Sequence, residues 1–275
     1  MRYLKDTFSY LFIRGKGKRF AVLFLFALIP SAMLAYGVRS ETFLINLISP
    51  PVYENWADVL LSYFPSTYGL ISAALGIICS IIATACIMGA VIRHFRVGDF
   101  SVGQISRSFN DYALPAVFYT AMCVAIYAVA FIVYSLFAYM WYYLTSAITY
   151  AVLSVIALII LASVTVYCMS SLTLWLPLMC VKGIYSHNAL SSAFYQSRSK
   201  QKFFLPGHIT IALIVLCSSV ISYFVSDIWY ASWIVDSIGY AIAYAFSLIF
   251  ITTAFFGENR LPREDVGVSP YKRRF

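Results

Sequence analysis

Residues 114–181 contain no charged side chain, and this restricts the fold more than any other feature. A charge-free run of roughly 68 residues is too long for one helix across a hydrocarbon core of ~30 Å, and too short for three with their turns. It fits two long spans and a tight turn, expected at 144–149 below the aromatic cluster Tyr139, Trp141, Tyr142 and Tyr143. Arg93, Arg96 and Arg107 precede the run and Lys182 follows it, so an even number of crossings keeps these charges on one side.

The other apolar stretches extend the pattern. They predict spans over about 20–38, 69–92, 204–225 and 232–256, giving six transmembrane helices in an all-α integral membrane protein. Pro30 is expected to kink the first, which reads as an uncleaved span because the small-residue cleavage pattern near Ala35 is poor. The chain is 62% hydrophobic and 11% charged, against roughly a quarter charged in soluble domains. With these spans Arg39 is the only external Lys or Arg, leaving the other 18 inside. Both termini are therefore expected in the cytoplasm, and the location is expected to be the cell membrane.

 

The net charge of +8 sits in short loops between spans, where an anionic leaflet and insertion topology account for it without a nucleic-acid surface. Cys79, Cys86, Cys123, Cys168, Cys180 and Cys217 all fall inside spans or at their edges, and they read as small hydrophobes rather than disulfides or metal ligands.

One short pattern recurs. Gly183–Phe194 reads Gly-Ile-Tyr-Ser-His-Asn-Ala-Leu-Ser-Ser-Ala-Phe, and Gly98–Phe109 reads Gly-Asp-Phe-Ser-Val-Gly-Gln-Ile-Ser-Arg-Ser-Phe. Each follows one span and reaches a Leu-Pro pair at the start of the next. Gly98 and Gly183 are the candidate turn residues, Ser101 and Ser186 the candidate helix caps, and Phe109 and Phe194 the candidate apolar anchors of a span-to-surface elbow. A fainter copy at Leu4–Phe8 extends this to three units, 1–92, 98–181 and 183–256, inside one membrane domain of residues 1–257. Residues 258–275 form a basic cytoplasmic tail. Leu4, Phe8 and Leu11 predict a first amphipathic helix lying on the membrane surface.

Pro177, Gly183 and Ala189-Leu190-Ser191-Ser192-Ala193-Phe194, together with Ile105-Ser106-Arg107-Ser108-Phe109, resemble a broad group of bacterial six-span proteins. That group includes the membrane domain fused to some glycerophosphodiester phosphodiesterases. The resemblance implies the six-span fold and a bacterial source. It does not imply the phosphodiesterase activity, which belongs to a separate catalytic domain.

No nucleotide-binding loop, metal-spaced cluster or catalytic constellation stands in the sequence, so no catalytic residue, metal or cofactor is expected. Residues 39–68, with Glu41, Glu54 and Asp58, read as an outer loop. Asp236 reads as a hydrogen-bond partner about a turn below the outer interface, and His94, His187 and His208 map to the cytoplasmic edge. The span hydroxyls suit either helix packing or a solute path. Without a charge at mid-membrane, a proton-coupled pump is disfavoured. The sequence favours a non-enzymatic scaffold or accessory subunit that docks a protein partner or anionic lipid through its cytoplasmic helices. Candidate contacts are Gln104, Arg107, His187, Ser192, Arg198, Lys200 and Lys202. A transporter or lipid-handling protein for a neutral or amphipathic solute is the second reading, and a membrane-embedded enzyme the third.

Overall fold

The computed structural model describes residues 2–12, 17–48, 50–64, 66–98 and 105–259, and every regular element among them is an α-helix. In chain order these are α1 (Arg2–Phe12), α2 (Gly17–Gly37), α3 (Ser40–Ile48), α4 (Trp56–Leu61), α5 (Thr67–Val97) and α6 (Ile105–Leu144). They continue with α7 (Ala147–Ser171), α8 (Trp175–Lys182), α9 (Ser186–Arg198), α10 (Gln201–Phe224) and α11 (Trp229–Asn259). Six segments are long and apolar enough to cross a bilayer. The chain is thus an all-α, multi-pass, membrane-embedded protein.

The turn inside the charge-free run falls between Leu144 and Ala147, where Ser146 precedes α7. The fourth crossing is not one helix. It breaks at Leu172–Leu174 and resumes as α8, and the break is closed by Thr173 Oγ1 donating to the Ser170 carbonyl at 2.7 Å. The first crossing is also broken, at Val38–Arg39 between α2 and α3.

Helix α2 packs between α5 and α11, the two most buried of the six crossings. Pro30 sits within it and lacks the N–H that would close the turn to Phe26. Side chains from both neighbours bond to nearby carbonyls: Trp233 Nε1 to Ala32 at 2.9 Å and Ser72 Oγ to Met33 at 2.8 Å. The apolar interior has two parts. The larger one joins α1, Leu23, Met88, Trp175, Phe204 and Phe250 at the end where the basic residues gather. The smaller one joins Leu47, Tyr53, Val59, Tyr63, Tyr134 and Tyr150 at the opposite end. Outward-facing side chains such as Leu25, Ile29, Ile159, Ile160 and Leu213 are aliphatic and exposed, as lipid requires.

Several expectations need correction. Residues 39–68 are not simply a loop, since α3 and α4 lie within them. The buried side of α1 carries Tyr3, Thr7, Tyr10 and Leu11, while Phe8 is exposed. Tyr3 meets Phe203 and Phe204, and Tyr10 stacks on Phe95 at 5.2 Å, so α1 docks onto the ends of other helices. Helix α6 runs without interruption from Ile105 through Pro115, so no break in the helix separates the amphipathic stretch from the third span.

Candidate functional site: a buried carboxylate pair

The break between α2 and α3 turns the first residues of α3 inward. Ser40 and Glu41 become buried against α10 and α11, with Glu41 only 6% exposed. Asp236, seven residues into α11, is 1% exposed and faces them. Ser40 Oγ donates to Asp236 Oδ2 at 2.6 Å, and Ser232 Oγ donates to Glu41 Oε1 at 3.1 Å. The Ser222 hydroxyl lies 3.4 Å from Glu41 Oε2 and 3.2 Å from the Ser232 carbonyl. Tyr240, one helical turn from Asp236, stands beside Ser40 and Ser219.

The arrangement is short of hydrogens. Ser222 has one proton and more than one acceptor within reach, and buried Asp236 Oδ1 has no hydrogen-bond partner. Neither carboxylate is ion-paired to a described residue. The backbone at Ser40, the N-terminal end of α3, meets Asp236 and brings the favourable end of a helix dipole to it. A carboxylate buried without a cation is costly, and a bound proton or a small cation removes that cost. Chemically, the site can take up and release positive charge.

A cavity of about 390 Å³ adjoins this cluster, lined by Pro30, Ser31, Leu34, Val38, Ser80, Tyr127, Tyr240 and Tyr244. Tyr240 belongs to both. The Tyr244 hydroxyl is held by Thr84 and by the Ser80 carbonyl at 2.6 Å, so its ring is fixed in the wall.

Most other span hydroxyls bond to carbonyls of their own helix, as Ser135, Ser163, Thr165, Ser219 and Thr252 do. Two groups differ. Ser170 and Ser171 bond Gln201 of α10. Thr173, in the α7–α8 break, lies 2.9 Å from His208 Nε2. His208 is therefore a buried residue of the bundle.

The residues singled out in the sequence lie at the basic end. Gly98 and Gly183 both take left-handed backbone, φ 83° and 63°, at the C-caps of α5 and α8. The cap position of α9 is held by Tyr185 and not Ser186, with no side-chain cap bond; Ser186 instead accepts Trp175 Nε1 through its carbonyl at 3.0 Å. Phe109 is half-buried against the larger core, whereas Phe194 is 51% exposed. Ala189, Ala193 and Ser197 form the buried side of α9. Lys200 pairs with Glu258, which also accepts from the Tyr3 hydroxyl, so Lys200 is tied into the fold. His187 and Arg198 are exposed, Ser192 is half-buried, and Lys202 lies over the Phe203 ring. Ser101 and Gln104 lie outside the described residues, as does the side chain of Arg107.

Sequence reasoning missed Glu41. The signal that could have found it is its place three residues after an apolar span, followed by the apolar stretch Phe43–Ile48. No protein-family model, curated protein or solved structure matches the chain.

Proposed function

We propose that the chain is a non-enzymatic transport protein of the cell membrane, and that Glu41 and Asp236 hold its coupling proton. The observation that carries this reading is the orphaned oxygen of a buried, unpaired carboxylate next to a second one. A scaffold has no use for such a pair, whose burial costs several kcal/mol per ion unless charge is neutralised. The expectation of no charge inside the membrane, which weighed against transport, loses its force once Glu41 is buried beside Asp236. Broken first and fourth crossings favour the same reading, because interrupted helices commonly frame solute sites in transporters. The distribution of Lys and Arg favours a cytoplasmic basic end with both termini inside.

The test is proton movement in liposomes that hold the purified protein and a trapped pH dye. A pH step is expected to relax faster with the native protein than with Asp236→Asn or Glu41→Gln. Equal relaxation in all three, with each variant folded, contradicts the proposal.

A second reading keeps the scaffold, with α9 as its docking helix. Exposed Tyr195 and Arg198 of α9, with Tyr185 at its N-cap and Lys202 at the start of α10, offer aromatic and basic groups suited to anionic lipid or an acidic partner. Native mass spectrometry of the gently purified protein decides between them: a stoichiometric protein partner favours docking, and its absence with proton movement favours transport.

A further inference from the structure

The cavity beside the carboxylates has an unusual combination of walls. Three tyrosines, Tyr127, Tyr240 and Tyr244, line it with aliphatic side chains and two serines, and none of its lining residues is charged. Its volume of about 390 Å³ lies in the range of small-molecule sites. Tyr127 is 55% exposed on the lipid-facing side of α6, so the cavity is reached from within the membrane. Tyr240 connects it to Ser40, and Ser40 to Asp236.

These walls select by charge. Anions are repelled by Glu41 and Asp236. Small inorganic cations need more oxygen ligands than an apolar, tyrosine-lined wall supplies. An organic cation suits it, because aromatic rings attract ammonium groups at their faces and the nearby carboxylates add long-range attraction in a medium of low dielectric. We propose that this cavity binds a small lipophilic ammonium ion, quaternary or protonated, in exchange for the proton held by Glu41 and Asp236. The inference rests on the transport reading given above. In the exchange no covalent bond of the solute changes: the cation enters, one proton leaves a carboxyl oxygen for solvent, and the net charge of the site is kept. The groups that face Asp236 in this step are Glu41 and Ser40 of α3, Ser222 of α10 and Tyr240 of α11, with Arg39 flanking in the break.

The test uses the full chain in detergent with radiolabelled tetraethylammonium as the probe. Saturable binding is expected, displaced by unlabelled phenyltrimethylammonium and not by its neutral isostere tert-butylbenzene. Tyr127→Leu, at the exposed mouth where folding is little affected, is expected to weaken binding about tenfold, and Tyr127→Phe to keep it, since the ring carries the attraction. Binding is expected to release about one proton into unbuffered solution, and Asp236→Asn to abolish that release. Absence of saturable binding, or equal displacement by the neutral isostere, overturns the inference. So does binding whose proton release Asp236→Asn leaves unchanged. The liposome measurement on Asp236→Asn stands apart from these results, so a failed cation site and a failed proton site give different outcomes.

Discussion

The Ser40 hydroxyl donates to Asp236 Oδ2 at 2.6 Å, joining the α2–α3 break to the sixth span across 196 positions of chain. Ser40→Ala leaves that oxygen buried without its donor, at a cost of about 1–3 kcal/mol. Thermal unfolding in detergent is expected to show the loss. Adding Asp236→Leu to Ser40→Ala is expected to recover much of it, because the pair is then apolar on both sides. Additive losses in the double variant contradict this account of the bond.

Gly37, just before the break, approaches α5 so closely that a Cβ would stand 2.7 Å from Ala73 Cβ, Ala73 N and the Gly69 carbonyl. Two of those atoms are backbone and cannot turn aside. Gly37→Ala is expected to cost about 1–3 kcal/mol through overpacking. Because Ser40 follows three residues later, the variant is also expected to lose proton movement in liposomes.

Tyr3 holds α1 to α11 by its bond to Glu258, which pairs in turn with Lys200. Burial above all, and then the bond to Glu258, push the Tyr3 hydroxyl well above its ordinary phenol value. Its folded value being the higher, the contribution is fully present below the unfolded phenol range and is lost only as pH rises through the folded one. The tether is thus expected to hold unchanged from neutral pH to about 10. Tyr3→Phe removes the bond at every pH, and hydrogen exchange of residues 2–12 is expected to rise several-fold at neutral pH. Equal exchange in the variant and the native protein contradicts the tether.

On α9 the weight falls on small residues. Ala193 is fully buried and Phe194 is half exposed. Ala193→Leu is expected to displace α9 and lower the unfolding temperature, while Phe194→Glu is expected to leave that temperature unchanged. The opposite ranking contradicts the observed packing.

Much of the architecture was legible because it depends on local composition. Charge-free length places the turn within 144–149, where the structure has it at 145–146, and the two glycines of the recurring pattern stand where the backbone is left-handed. What was not legible depends on partners distant in sequence. Arg39, Glu41, Pro50 and Pro51 read as an outer loop, yet Glu41 is held by Ser222 and Ser232, 181 and 191 positions away. Phe194, expected as an apolar anchor of the membrane face, is half exposed. In a membrane protein a large apolar side chain can as well face lipid, and close helix contact falls to alanine and serine. That His208 is buried against Thr173 depends on packing between distant helices, although Pro177, which has no N–H for the Thr173 carbonyl, does mark the break in the fourth crossing.

The most direct measurement of the central claim is infrared difference spectroscopy of the purified protein in lipid across a pH titration. The account predicts a carboxyl C=O band, sensitive to deuterium, that titrates in the native protein and is lost or displaced in both Asp236→Asn and Glu41→Gln. A titration without such a band, or a band that survives unchanged in both variants, contradicts the claim that this pair takes up the proton.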